Sequence, residues 1–447
     1  MSRILFASIP FDGHFNPLSS LAVHLRDRGH DVRWYTGGSY AARLERLGIP
    51  HFPFVRAREV TTDNIAQLFP EYEKLGMSRK GMELATREIF YGPIESQYRD
   101  VAAIHASFPF DALVCDAALF VSRVVAEKLG PRVYVVSAAP TPAPTSKTAP
   151  PPFFGLKPAR TALGGARDAI LRLLLERGAR SGMDLFNDFR AREGLPPYRG
   201  SGFDMHVDTA DAYFQIGVPG LDFPRADWPA NFQFVGALMP SPSARASGLS
   251  AALEEKLARY GGRCVLVSQG TTDNRDTRKL FGPALDALAG SEHLVVVTTG
   301  GKVTAELRHR YPQDNVVIED WIDFNALLPR TKLFLCNGGF GSILLALSHG
   351  VRVVTAGKLE GKADINARLD YRGVALDLRT EHPTAAQARR AVARVLADPR
   401  YAANVERARA ELAQYRPLEI IERRLHADGI VASVAPLVPL VPLASAG

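Results

Sequence analysis

The feature that most constrains this chain is an alternation, present in both halves, of short β-branched and aliphatic runs with amphipathic helical stretches. Neighbouring parallel strands need a long crossover between them, so this alternation is the signature of parallel sheets covered by helices. The first half carries Ile4-Leu-Phe-Ala-Ser, Val32-Arg-Trp-Tyr, Ala112-Leu-Val-Cys and Val133-Tyr-Val-Val. Helices are predicted there from about Pro17 to Arg28 and from about Phe120 to Leu129. The second half carries Cys264-Val-Leu-Val-Ser, Leu294-Val-Val-Val-Thr, Val316-Val-Ile, Leu333-Phe-Leu-Cys, Val351-Arg-Val-Val and Val374-Ala-Leu. Between them, the Pro-, Ser- and Gly-rich stretch from Gly236 to Gly248 reads as a linker. The predicted fold class is α/β, with two Rossmann-like domains facing a cleft. The expected boundaries are 1–236, a linker at 237–250, and 251–428, with the last helix, about 416–428, free to pack back on the amino-terminal domain.

Two segments do not fit the alternation. Residues 138–165 hold Ala-Ala-Pro-Thr-Pro-Ala-Pro and Pro150-Pro-Pro-Phe-Phe-Gly, and proline excludes both a helix interior and a central strand. A long loop is expected, and long loops in compact domains are functional or disordered. The apolar tail at 429–447 contains three prolines and is expected to fray or make a weak contact.

Composition narrows the class of protein. With 447 residues, 46% of them hydrophobic, the chain can bury full-sized cores. Cys115, Cys264 and Cys336 sit in apolar runs, which points to a reducing, cytoplasmic compartment rather than a disulfide framework. The first residues lack the apolar core of a signal peptide, and no apolar run reaches the roughly 18 residues of a membrane span. A balance of 54 basic to 47 acidic residues, formally +7, raises the question of nucleic acid. Arg177, Arg180, Arg190, Arg192, Arg389, Arg390 and Arg394 are interspersed with acids, however, and read as solvated helix faces. There is no basic stripe interleaved with aromatics and no metal-ligand spacing, so nucleic acid and a bound metal are not expected partners. A mild positive field would help attract an anionic small molecule.

Three constellations carry chemistry. Phe11-Asp-Gly-His-Phe-Asn-Pro lies between the first strand and the first helix, so His14 projects into the crevice at the carboxyl ends of the strands. Asn16 and Pro17 suit the N-cap and first helical positions, and a helix start beside an imidazole disfavours its protonated form. Asp116 ends its strand at the same crevice and would orient His14, as in a triad without its serine. Asp111, at the other end of that strand, reads as a turn residue. Asn337-Gly-Gly-Phe-Gly-Ser follows a strand and opens a helix, an arrangement suited to a diphosphate because backbone N–H groups and the helix start both favour an anion. It is neither a dinucleotide-binding Gly-x-Gly-x-x-Gly nor a P-loop. Ser268-Gln-Gly-Thr-Thr supplies hydroxyls and backbone donors near the same place.

Together, His14 in Asp-Gly-His-x-Asn-Pro, Asp116, Ser268-Gln-Gly-Thr, Trp321 and Asn337-Gly-Gly-x-Gly-Ser-x-x-x-Ala-Leu-x-x-Gly-Val resemble the family 1 glycosyltransferases of the bacterial macrolide type. The resemblance runs from about residue 1 to residue 425. It implies a two-domain GT-B fold, with a small-molecule acceptor on the amino-terminal half and a nucleoside-diphosphate sugar, dTDP or UDP, on the other. It also implies inverting transfer to an acceptor hydroxyl, with His14 as base and Asp116 as its partner. Trp321, beside Ile322, would stack on the nucleobase. Ser268, Gly270, Thr271, Asn337, Gly338, Gly339, Gly341 and Ser342 would hold the diphosphate, with no metal and no cofactor other than the donor.

The departures from the family pattern bear on the donor. Asn337 stands where the family has His and could still donate to a phosphate. Leu345 replaces the Glu that binds the ribose hydroxyls, which favours a thymidine nucleotide lacking the 2′-hydroxyl. The sugar-binding Asp-Gln or Glu-Gln pair falls on Lys362 and Ala363, beside Gly361, so a deoxysugar or rhamnose is as compatible as glucose. Phe153-Phe154 and Phe90-Tyr91 are candidates to line an apolar acceptor pocket. Two alternatives remain at this point. One is a nucleotide-sugar epimerase, which would need a carboxylate poised over a C–H bond. The other is a non-catalytic auxiliary homologue, suggested by the replaced Glu and Asp-Gln positions.

Overall fold

The computed structural model describes residues 1–61, 63–71, 75, 79–141, 146, 148–240, 248–270 and 274–431, and folds them around two parallel sheets. The first has the order β3-β2-β1-β4-β5-β6-β7: β1 Arg3–Ala7, β2 Asp31–Thr36, β3 His51–Pro53, β4 Ala112–Asp116, β5 Arg132–Ser137, β6 Ala212–Ile216 and β7 Phe232–Gly236. The second has the order β10-β9-β8-β11-β12-β13: β8 Cys264–Ser268, β9 Leu294–Thr298, β10 Val316–Glu319, β11 Thr331–Cys336, β12 Arg352–Thr355 and β13 Ala375–Asp377. The alternating runs of the sequence therefore do form a doubly wound pair of sheets. Three strands escaped the pattern: β3 has only 3 residues, while β6 and β7 mix aromatic residues with glutamine.

The two-residue period of a strand sorts its side chains into separate layers. Ile4 and Phe6 of β1 join a cluster that also contains Leu266 of β8 and Phe334 of β11, whereas Leu5 and Ala7 face a cluster confined to the amino-terminal half. In the second sheet, Val265 and Val267 face a third cluster confined to the carboxy-terminal half. Three apolar layers result, and the middle one is shared by both sheets. Strands buried on both faces explain why the runs read as continuous rather than alternating hydrophobics.

The last helix, Pro417–Ala427, returns to the amino-terminal half and packs on the first helix and β7 through Ile420, Ile421 and Leu425. Polar contacts secure it: Glu422 meets His24 Nε2 at 2.9 Å, and the Tyr134 hydroxyl donates to Asp428 at 2.9 Å. Arg190, read from sequence as solvated, is instead buried and paired with Glu127 while its Nε donates to the Pro196 carbonyl.

The first helix corrects a second expectation. It runs from Asp12 to Asp27, so Asn16 is not its cap and Pro17 lies inside it. Arg43 accounts for the earlier start, since its guanidinium bridges the Asp12 carboxylate and the Asn16 side-chain carbonyl, one helical turn apart. The Tyr40 hydroxyl adds a bond to Asp12 at 2.9 Å.

Candidate active site

In a doubly wound sheet the strand order reverses at one crevice, and ligands bind there outside the carboxyl ends of the strands. The reversals fall between β1 and β4 in one sheet and between β8 and β11 in the other. His14 follows β1 and Asp116 ends β4; Ser268 ends β8 and Asn337 follows β11. Each constellation thus sits at its own crevice. The two crevices approach one another, because a Cβ placed on Gly217, just past β6, would lie 3.1 Å from Phe340 at the start of the Phe340–Ser348 helix.

At the first crevice, His14 Nδ1 and Asp116 Oδ1 are 2.9 Å apart. Asp116 is fully buried, and its carboxylate also accepts the backbone N–H groups of Ile9 at 2.9 Å and Ala118 at 2.7 Å. These bonds fix the carboxylate in place and orient the imidazole through its Nδ1. The other ring nitrogen, Nε2, belongs to a side chain that is 35% exposed. A fixed imidazole with one open nitrogen can take a proton from a hydroxyl. Asp111 accepts the Arg3 backbone N–H at 2.8 Å at the opposite edge of the sheet, as its turn role requires.

At the second crevice, Gly338 has φ 104° and Gly339 precedes a helix whose first turn has no side-chain cap. Its leading N–H groups therefore point outward, and a Cβ on Gly341 would meet nothing within 4 Å. Gly338 is sterically required as well, because a Cβ there would come within 2.4 Å of Asn366 Oδ1. Ser342 Oγ donates to the Gly339 carbonyl at 2.9 Å and closes the turn. Gly270, at φ 75°, places its own N–H on Ser268 Oγ at 3.2 Å. Asn337 is buried and its amide donates to the Gln269 carbonyl, which braces the turn. Thr271 lies outside the described residues.

Trp321 is 48% exposed with its ring beside Gly300, and Ile322 is half-buried against the shared apolar layer. Leu345 is half-buried on the Phe340–Ser348 helix and packs partly against the shared apolar layer. Gly361, at φ 78°, caps the Lys362–Tyr371 helix; Lys362 pairs with Glu360 at 2.6 Å, and Ala363 packs under Gly155. Phe153 and Phe154 are half-buried, with the Phe153 ring 5.3 Å from that of Phe203. Their turn rests on the Lys362–Tyr371 helix as well as on its own domain.

The Phe90-Tyr91 pair divides. Phe90 is half-buried against Phe120, whereas Tyr91 is a core residue wedged between Phe120 and Phe186, with Gly182 and Gly202 making room for its ring. Tyr91 is therefore removed from the pocket-lining set. Sequence reasoning missed three residues near the site. Gln269 Oε1 accepts from the Leu280 and Phe281 N–H groups and fixes the strand-end loop. Asn366 supports the glycine turn. His206, buried with its ring tilted against that of Phe120, is held neutral, with desolvation lowering its pKa to about 4 against a pull upward from Asp116.

Comparison with known proteins agrees with this geometry. A family model described as "Erythromycin biosynthesis protein CIII-like, C-terminal domain" matches residues 283–426. The 4'-demethylrebeccamycin synthase of Lentzea aerocolonigenes is 34% identical over 414 residues, 92% of this chain and 96% of that protein. A UDP-glycosyltransferase 2 of Phaeomoniella chlamydospora is 27% identical over 89% of this chain and 90% of its own length. The crystal structure of the calicheamicin glycosyltransferase superposes with a TM-score of 0.71 at 18% identity, covering 98% of this chain and 100% of that one. The two sheets and their facing crevices are thus the GT-B fold, and the chain belongs to the family 1 glycosyltransferases. Among the described residues no helix is long and apolar enough to cross a membrane.

Proposed function

We propose that the protein transfers a sugar, with inversion, from a nucleoside-diphosphate sugar to a hydroxyl of an apolar small molecule of the natural-product kind. The observation that carries this reading is the 2.9 Å contact of His14 with buried Asp116 at a crevice facing a glycine-opened helix start. His14 Nε2 takes the proton of the acceptor hydroxyl as its oxygen attacks the anomeric carbon. The bond from that carbon to the diphosphate breaks with its electron pair going to the diphosphate. Asp116 stabilises the resulting imidazolium, and the N–H groups at the start of the Phe340–Ser348 helix stabilise the negative charge on the leaving group. Trp321 holds the nucleobase, and Leu345 offers apolar contact where a ribose 2′-hydroxyl would need an acceptor, which favours thymidine over uridine diphosphate. The similarity to a 4'-demethylrebeccamycin synthase supports an acceptor of the natural-product kind.

The dyad serves a hydroxyl better than a C–H bond, which ranks transfer above epimerisation. The test is release of nucleoside diphosphate by the purified protein with and without acceptor. Acceptor-dependent release supports transfer, acceptor-independent interconversion of the sugar supports an epimerase, and binding without turnover supports an auxiliary subunit.

A further inference from the structure

The Lys362–Tyr371 helix of the carboxy-terminal half carries a polar stripe that grips the other half of the molecule. Arg368 Nε donates to Asp222 Oδ1 at 2.7 Å, Arg372 Nη2 donates to the Pro219 carbonyl at 3.1 Å, and Asp370 receives Lys157. At the start of this helix, Asp364 accepts two backbone N–H groups from one tight turn: Gly155 to Oδ1 at 2.8 Å and Phe153 to Oδ2. The turn is demanding. Phe153 adopts φ 72°, unusual for a residue with a side chain, and Gly155 adopts φ 61° with room for a Cβ limited to 3.0 Å from Ala363. Such a turn persists only if something outside it determines its shape, and the Asp364 carboxylate does so. Packing of the turn desolvates this carboxyl and raises its pKa, while Arg368 and the two backbone donors oppose that shift.

The place matters as much as the bond. Asp364 follows Lys362 and Ala363, so the turn it holds covers the helix start where donor sugar and acceptor would meet. We propose that Asp364 is a positioning residue for transfer: it fastens the Phe153–Gly155 turn across the domain boundary and so sets the wall that keeps the sugar from water. This rests on the transfer reading above. Unfastening the turn should leave donor binding largely intact and divert the sugar from acceptor to water.

The test uses the full chain, its Asp364→Asn and Asp364→Ala variants, and Gly155→Ala as an independent disturbance of the same contact. Asp364→Asn keeps the side-chain shape while turning one acceptor into a donor that faces a backbone N–H. Hydrogen exchange across residues 150–160 reports the turn. Diphosphate release from dTDP-glucose and UDP-glucose, with and without 4-methylumbelliferone, reports transfer against hydrolysis. The expected result is exchange accelerated about tenfold or more, a transfer-to-hydrolysis ratio reduced about tenfold, and a donor KM within about twofold of the parent. A freed turn with an unchanged ratio overturns the proposal, as does unchanged exchange in both Asp364 variants. If the parent protein transfers nothing to this probe, the transfer reading fails for that acceptor, and donor hydrolysis alone decides the positioning role. Hydrolysis raised about tenfold in the variants then supports it, and equal rates overturn it.

Discussion

At the amino-terminal crevice the groups on offer are side chains, an imidazole and a buried carboxylate; at the carboxy-terminal crevice they are backbone N–H groups exposed by glycines. The proposed role of the first depends on residue type, because a general base has to be a group that can hold a proton. The second depends on the absence of atoms, because Gly338 must leave space for Asn366 and the helix start must remain uncapped. Asn337 belongs to the second kind, since its amide braces the backbone through the Gln269 carbonyl. One edge of the cleft therefore tolerates little change of side chain, and the other little addition of a Cβ.

The sharpest way to break this contrast is His14→Ala. Loss of a general base costs about 10²–10⁴ in rate, and steady-state assays should show that loss while calorimetry finds diphosphate affinity within about twofold. Near-parental turnover would remove His14 from the chemistry. Asp116→Asn should cost less, since it keeps the side-chain shape and removes charge.

A pH titration of stability separates the halves next. His206, in the amino-terminal half, is lowered from its ordinary 6.5 to about 4, so the unfolded chain binds the extra proton between those values. Its contribution is full above about pH 6.5 and falls by roughly 3 kcal/mol as pH drops toward 4. Asp377, in the carboxy-terminal half, is raised from 3.8 to about 6, mainly by desolvation. There the folded chain binds the extra proton, so its contribution falls as pH rises through the same window, by a similar amount. The two slopes oppose each other in the parent. Denaturant melts of His206→Asn should show stability declining from pH 4 to 6, and those of Asp377→Asn should show it rising. Parallel profiles for both variants would refute the assignment.

On the glycine side, Gly338→Ala should reduce diphosphate affinity about tenfold and destabilise the fold by about 1–3 kcal/mol, given its φ of 104° and the approach to Asn366. Calorimetry and melting measure the two effects, and a silent substitution would show that the turn is not held by steric fit. The smallest expected effect is nucleotide choice. A lost hydrogen bond to a charged group is worth about 1.5–3 kcal/mol, so thymidine diphosphate should bind about tenfold more tightly than uridine diphosphate. Leu345→Glu should narrow the gap, and equal affinities in the parent would remove Leu345 from nucleotide selection.

Much of the architecture is visible in the chain, because most of the buried strands are apolar runs and each crevice follows such a run, whereas Gln215 in β6 and Gln233 in β7 interrupt theirs. His14 and Asp116 are legible for the same reason, since Asp116 ends β4, His14 opens the helix that follows β1, and both are of types suited to proton transfer. The start of the first helix is not legible, because Arg43, a distant residue, stabilises a turn that Pro17 alone argues against. Tyr91 looks like a pocket residue until Gly182 and Gly202 are seen to receive its ring. Asp364 is hidden most completely, since its partners are backbone N–H groups of Phe153 and Gly155, which no side-chain pattern encodes.

The returning helix at Pro417–Ala427 sets an order on biosynthesis. It covers apolar surface on the first helix and β7, yet it leaves the ribosome roughly 190 residues after β7 ends at Gly236. At about 5–20 residues per second, the amino-terminal half waits on the order of 10–40 s with that face uncovered. During this interval the nascent chain displays a greasy strip that a holdase can recognise, and early termination anywhere before residue 417 leaves that strip permanently bare. Truncated products of this chain are therefore expected to aggregate through their amino-terminal half, even when every residue of that half is present.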